Sequence, residues 1–185
     1  MEKLILIKPD ITHKDEILDY QLEFRQHDDH SHGDSGLYND IDILAWIINC
    51  RLHEKAETLP NPKHVTATQY MMVREGTTRI LGMINLRHTL GEKGRYLAEH
   101  GGHIGFGIRP TERRKGYAKV MLQLCLEKCR DLGLEIVLLT CDIKNEGSRR
   151  TIQACGGQFE RIAHTGDEVD ERYWINLLCP LRPVK

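Results

Sequence analysis

Apolar and polar residues alternate from Lys3 to Lys8 and stop at Pro9, which lacks an N–H, so a first strand is predicted there. A helix is expected over about Lys14 to Arg25. The segment from His27 to Gly36 has no periodicity and many turn formers, and is expected to be a loop. Ile41, Leu44, Ile47, Ile48 and Leu52 recur at helical spacing, which predicts a second helix from Asp40 to Glu57 with Asp40 near its N-cap. Leu59-Pro60-Asn61-Pro62 then breaks the chain.

Two β-rich runs, Val65 to Arg74 and Arg79 to Leu90, flank Glu75-Gly76-Thr77-Thr78 and predict a hairpin. A mobile loop is expected next, followed by a glycine-rich strand, Gly102 to Ile108, closed by Arg109-Pro110. The clearest helix follows. Ala118, Met121, Leu122, Cys125, Cys129 and Leu132 share one face, Lys119, Gln123, Glu127 and Arg130 lie elsewhere, and Gly133 ends the helix. Ile136 to Cys141 is a continuous apolar run suited to a strand buried on both faces. A short helix over Gly147 to Cys155 and strands over Gln158 to Ala163 and Arg172 to Leu178 complete the chain. This order gives an α/β fold with one central mixed sheet and helices on both faces.

With 185 residues, 40% of them hydrophobic, the chain can bury one good core, so a single domain over 1–185 is expected. A net charge of −1 gives no global reason to expect nucleic acid or an anionic membrane as partner. No apolar run approaches the roughly 18 residues of a spanning helix. The N-terminus is too soon charged for a signal peptide, so a soluble, cytoplasmic protein is expected. Cys50, Cys125, Cys129, Cys141, Cys155 and Cys179 contain no C-x-x-C pair and are expected to be reduced core thiols.

The chemistry concentrates at Arg113-Arg114-Lys115-Gly116-Tyr117-Ala118, a basic, glycine-containing turn between a strand and an amphipathic helix. The first turn of a helix has N–H groups without intrahelical partners, and its dipole favours anions. Backbone donors there could hold a pyrophosphate, with Arg113, Arg114 and Lys115 supporting it at the edge. The alternative is an ordinary solvated basic turn.

These residues resemble the GNAT superfamily of N-acetyltransferases, whose signature at this junction is Arg/Gln-x-x-Gly-x-Gly/Ala. Arg113, Gly116 and Ala118 fit it. Ile108-Arg109-Pro110 resembles the hydrophobic-x-Pro that precedes the signature, and Asn145-Glu146-Gly147-Ser148 resembles a downstream Asn-x-x-Ser. The resemblance covers about Gly102 to Phe159. Gly101 to Gly105 and Arg172 to Ile175 are also similar to a bacterial branch of predicted acetyltransferases of unassigned substrate.

The resemblance implies an α+β fold with a mostly antiparallel sheet of about six to seven strands. It also implies acetyl-CoA as co-substrate, no metal, and transfer of acetyl to an amine acceptor in a ternary complex. The strand from Gly102 to Ile108 would splay from its neighbour and pair with pantetheine through Phe106, Gly107 and Ile108, its glycines easing the approach. An N–H there would polarise the thioester carbonyl. Amides of Lys115, Gly116, Tyr117 and Ala118 would hold the pyrophosphate. Asn145 is expected to face pantetheine or an ordered water, and Ser148 to bind the cofactor or cap the next helix.

One position departs from the family. The tyrosine that often protonates the departing thiolate is replaced by Ile152. Tyr173 is a candidate substitute and Tyr117 a possible one in principle; His103, His88 or a water chain are candidate bases. Loss of turnover, leaving a CoA-binding or regulatory module, is the alternative function, and a nucleic-acid binder using Arg113 to Lys115 is a distant third. A metal at the loop containing His27, His30 and His32 is not expected, because its ligands lack the spacing of a structural zinc site.

Charge is uneven along the chain. Asp10 to Asp42 holds ten Asp/Glu against Lys14 and Arg25, while Arg109 to Asp131 holds seven Lys/Arg against three Asp/Glu. Because the family shapes its acceptor side with the first two helices, the acidic N-terminal region suggests a small cationic amine or a peptide amine. A solvated acidic face is the alternative. A homodimer is compatible with the sequence.

Overall fold

The computed structural model describes residues 3–39, 42–91 and 96–178. Strand β1 (Leu4–Ile7) ends ahead of Pro9, and the Asp10 carboxylate accepts the Thr12 N–H at 3.1 Å, starting a 3-10 turn that runs into helix α1 (Lys14–Gln26). Ile17, Tyr20, Gln21 and Phe24 recur along α1 and are buried, so one stripe docks it on the sheet.

Helix α2 (Ile43–Leu52) is shorter than expected, and Asp42 rather than Asp40 caps it, accepting the Ala45 N–H at 3.0 Å. Asp40 and Ile41 lie outside the described residues. The buried face is also different. Ile43, Trp46, Ile47 and Cys50 face the core, whereas Leu44 and Ile48 are 46% and 49% exposed. Two apolar stripes competed, and the one carrying Trp46 wins. It buries the largest side chain, and the indole N–H finds the Asp34 carbonyl at 2.8 Å.

Strands β2 (Ala67–Arg74) and β3 (Ile80–Arg87) form the expected hairpin, and β4 (Ile104–Ile108) extends it. Of the mobile loop expected after β3, residues 92–95 lie outside the described set, and Leu97–Gly101 forms a single π-helical turn. A 3-10 turn (Pro110–Glu112) leads to helix α3 (Tyr117–Asp131), with Gly133 beyond its end at φ +76°. The chain closes with β5 (Ile136–Asp142), α4 (Glu146–Ala154), β6 (Gln158–Thr165) and β7 (Glu168–Asn176).

The seven strands make two antiparallel sheets, in order β1-β2-β3-β4 and β5-β7-β6. The single central sheet expected from sequence is thus divided between β4 and β5. One core holds the halves together from the α3 and α4 side, where Met72, Ile84, Ile104 and Ile108 pack with Met121, Val137, Ile152 and Tyr173. A second core joins α1 and α2 to the opposite face of the first sheet through Tyr20, Phe24, Trp46, Met71 and Met83. Helices therefore cover both faces. The described cysteines, Cys50, Cys125, Cys129, Cys141 and Cys155, are free and buried; burial pushes the Cys50 and Cys141 thiols up to about 12. Cys179 lies outside the described residues. No helix among them is long and apolar enough to cross a membrane.

Candidate active site

The junction between β4 and α3 is built on a buried arginine. Arg109 is 0% exposed; its Nε donates to the Ile80 carbonyl at 2.7 Å, and its Nη1 reaches Asp19 at 2.6 Å and Glu23 at 3.0 Å. This pins α1 to the start of the junction. Arg113 then folds back, its Nε donating to the Ile108 carbonyl at 3.1 Å and its Nη1 meeting Asp29 at 2.5 Å. Lys115 reaches Glu112 at 2.9 Å. Burial opposes ionisation of the Glu112 carboxyl, but Lys115, Arg79 and Arg74 together hold it below the usual carboxylate range.

Two of the three basic side chains expected at the phosphate edge are therefore ion-paired within the protein. What remains for an anion is main chain, with the exposed Arg114 side chain at its edge. Arg114 and Gly116 are both left-handed, at φ +63° and +83°, a sequence of conformations that turns neighbouring amides inward. Val120 is the first amide of α3 with a helical acceptor, the Gly116 carbonyl at 3.4 Å, so the amides of Tyr117, Ala118 and Lys119 precede the ladder. Nothing lies within 4 Å of the place a Gly116 side chain would occupy. The arrangement fits a pyrophosphate. The Tyr117 hydroxyl accepts from Arg74 Nη2 at 2.8 Å, so it faces the end of β2.

The open edge of β4 follows from its ladder. Arg87 N–H bonds the His103 carbonyl at 2.8 Å and Arg109 N–H bonds the Leu81 carbonyl at 2.9 Å, bracketing the pairing with β3. Backbone groups alternate along a strand, so Gly105 and Gly107 point theirs at β3 while Ile104, Phe106 and Ile108 point theirs away. Phe106 and Ile108 thus supply the edge that faces the division between the sheets, and Gly107 does not. The glycines serve another contact: a side-chain carbon at Gly107 would lie 2.8 Å from the His32 carbonyl, and one at Gly105 would lie 3.3 Å from Gly33 Cα. They admit the loop between α1 and α2.

His103 bridges the two sheets. Its N–H donates to the Leu138 carbonyl at 2.7 Å, and its Nδ1 accepts the Leu138 N–H at 2.9 Å. Burial, reinforced by the nearby Arg87 charge, pushes its pKa down to about 4. At neutral pH the ring is uncharged with its proton on Nε2, and its lone pair is engaged, which does not suit a base. His88 Nε2 lies 2.9 Å from Thr68 Oγ1, and burial lowers its pKa.

The remaining candidates gather around α4. Asn145 is exposed and caps α4, its Oδ1 accepting the Ser148 N–H at 3.0 Å, so the cap belongs to Asn145 and not to Ser148. Tyr173 is buried beside Ile152 in the main core, and its hydroxyl donates to Glu171 at 2.9 Å, an oxygen also held by Arg149 at 2.6 Å. Burial, together with that carboxylate, pushes the phenol up to about 12. Its proton is committed to Glu171.

Part of the acidic N-terminal region is spent internally as well. Asp10 meets Arg51, Glu23 meets Arg109 and Arg79, and Asp29 meets Arg113. The acidic and basic stretches of the sequence thus meet in part through each other, at Arg109 and Arg113. Among the described residues no group of three or more His, Cys, Asp or Glu is placed to hold a metal.

On the α1 and α2 side of the first sheet lies a cavity of about 680 Å³ that sequence reasoning missed. Its floor is a hydrogen-bonded trio: Ser35 Oγ donates to Gln69 Oε1 at 2.6 Å, and Asn85 Nδ2 donates to Ser35 Oγ at 2.9 Å. A signal was present. Asn85 and Arg87 share a face with buried Met83 by period-two alternation, and polar residues on a buried strand face need a reason.

A model of the GNAT acetyltransferase domain matches residues 3–158. Among solved structures, the chain is similar to the microcin self-immunity acetyltransferase MccE, solved with acetyl-CoA and AMP. Identity is 15%, 95% of this chain and 93% of that one are covered, and the TM-score is 0.68. It is similar to RimJ of Mycobacterium smegmatis, solved with a CoA disulfide, at 14% identity, 94% and 81% coverage and a TM-score of 0.66. It is also similar to the ribosomal-protein acetyltransferase RimL, solved with coenzyme A, at 13% identity, 94% and 93% coverage and a TM-score of 0.67. No curated protein sequence matches the chain.

Proposed function

The chain belongs to the GNAT acetyltransferase family, and on that premise we propose that it works as one domain that moves acetyl from acetyl-CoA directly to an amine within a ternary complex. The observation that carries this is the start of α3, where two left-handed residues and three amides outside the helical ladder surround open space at Gly116. The amides from Lys115 to Ala118 would hold the pyrophosphate. The outward-facing groups of Phe106 and Ile108 would pair with pantetheine, and an N–H there would stabilise negative charge on the thioester oxygen as the amine attacks.

A neutral amine must attack, because its conjugate acid, with a pKa near 10, has no lone pair. Neither His103 nor Tyr173 suits the proton steps, so solvent carries the amine's proton away. The thiolate, derived from a thiol of pKa about 8.5, leaves without a dedicated acid. Proximity and oxyanion stabilisation then supply most of the acceleration. Thiol release from acetyl-CoA in the presence of an amine panel tests the proposal. Release should depend on the amine and vanish in Gly116→Asp. CoA binding without amine-dependent release from any acceptor would favour a binding module instead.

A further inference from the structure

The 680 Å³ cavity is of a size that encloses a small molecule. Its walls come from α2, the chain before β2, the first residues of β2, the end of β3, and Leu90, Gly91, Tyr96 and Leu97. His53, Lys63, His64 and Arg87 line it, and none of the described lining residues is Asp or Glu. Several other arginines do meet a carboxylate. Arg109 meets Asp19, Arg113 meets Asp29, Arg149 meets Glu171 and Arg172 meets Glu160. Arg87 meets no carboxylate among the described residues; its Nη1 donates only to the carbonyls of Gly101 at 2.8 Å and Gly102 at 3.0 Å.

A guanidinium stays charged at any physiological pH, and holding one half-buried without a counter-ion, as at Arg87, carries a cost. That cost is removed when an anion enters. The free end of Arg87 lies beside β4, with Nη2 3.7 Å from where a Gly105 side-chain carbon would sit. Two residues earlier on the same face, Asn85 uses its Nδ2 on Ser35 and Gln69, which leaves Oδ1 to accept from an amine N–H. Positions i and i+2 on a strand stand about 6.6 Å apart, so the two contacts suit groups a few bonds from each other.

We infer that this cavity binds the acceptor of the proposed transfer, and that the acceptor is a small primary amine bearing a carboxylate or phosphate a few bonds from its nitrogen. Arg87 holds the anion, Lys63 attracts it at the mouth, and Asn85 orients the amine toward β4. This rests on the acetyl-transfer proposal for turnover but not for binding, so two readouts separate them.

The probes are β-alanine, β-alanine amide and 2-aminoethyl phosphate. In CoA-release assays, kcat/KM for at least one anionic amine should exceed that for the neutral amide by about 30-fold, roughly 2 kcal/mol. Which anionic probe leads tells carboxylate from phosphate. In Arg87→Gln the advantage should collapse through KM, with the KM for acetyl-CoA within twofold of wild type. Lys63→Gln, at an exposed position away from the strands, should cost about threefold at low salt and nothing at high salt. Calorimetric titration of the same probes into the CoA-bound protein reads the cavity without turnover. Equal binding of the neutral and anionic probes, or an Arg87→Gln loss shared equally by all three, overturns the inference. Anion-selective binding with no turnover of any amine supports the cavity assignment and overturns the acetyl-transfer proposal.

Discussion

On the assignments proposed above, the β4–α3 junction and the cavity beneath α2 both receive something charged, and they do it in opposite ways. At the junction Arg109, Arg113 and Lys115 are neutralised by Asp19, Asp29 and Glu112, and the free donors are mainly amides of one short stretch of chain, with exposed Arg114 beside them. In the cavity the backbone of Ala67, Gln69, Asn85 and Arg87 lies in strands and the open groups are side chains, foremost an arginine with no carboxylate partner among the described residues. A main-chain site accepts a phosphate without depending on any one side chain; a side-chain site can distinguish one small molecule from another. A cofactor suits the first and an acceptor the second.

The strongest test of that division acts on the junction alone. Gly116→Asp places a carboxylate at the amides and a side chain at φ +83°, so CoA affinity should fall about a thousandfold, on the order of 4 kcal/mol. Calorimetry should meanwhile show the cavity's probe binding unchanged. Loss of both together would mean the regions are not separable.

His103 ties the sheets between the two regions, and its titration gives the next largest effect. Its folded pKa of about 4 lies below the ordinary 6.5 of an unfolded histidine, so its contribution is complete above 6.5 and lost as pH falls from 6.5 to 4. At about 1.4 kcal/mol per unit this is on the order of 3 kcal/mol. Urea melts at pH 7, 6, 5 and 4 should show that decline, and His103→Asn should flatten it. An equal slope in both proteins would remove His103 from the joint.

How far the sequence reveals these regions depends on how local each one is. The junction was legible because Gly116, the basic turn and the stripe Met121, Leu122, Cys125 lie in one stretch and each constrains the backbone. The cavity draws on Ser35, His53, Gln69, Asn85 and Tyr96, which no window contains. The stripe of α2 was misjudged because Leu44 and Ile48 match helical spacing as well as Ile43, Trp46 and Cys50 do; only tertiary contact, with Trp46 on Asp34, decides between them. The glycines of β4 were visible, but not that their missing side chains make room for His32 and Gly33.

That last point can be measured. Gly33 sits at φ +68°, and a side-chain carbon there would fall 2.1 Å from the Gly105 carbonyl oxygen, so Gly33→Ala must move the loop off β4. A loss of about 2 kcal/mol is expected in urea melts. Because Gly33 also accepts from Gln69 at 2.9 Å, the cavity floor should loosen, raising KM for the acceptor while CoA affinity stays within threefold. If CoA affinity falls instead, the glycines of β4 serve the cofactor arm after all.

The smallest effect concerns where the junction region ends. Asn145 caps α4 through a 3.0 Å bond from the Ser148 amide, and replacing such a cap by alanine costs about 1 kcal/mol. In a chain of this length that is a fall of about 2–4 °C in Tm. If capping is all that Asn145 does, Asn145→Ala binds CoA within twofold of wild type, and the cofactor region stops at α3. A tenfold loss of CoA affinity with Tm unchanged would extend it across the division between the sheets to α4. The open edge of β4 would then be one wall of a two-walled cleft, and the main-chain character that separates the junction from the cavity would no longer hold for the whole cofactor site.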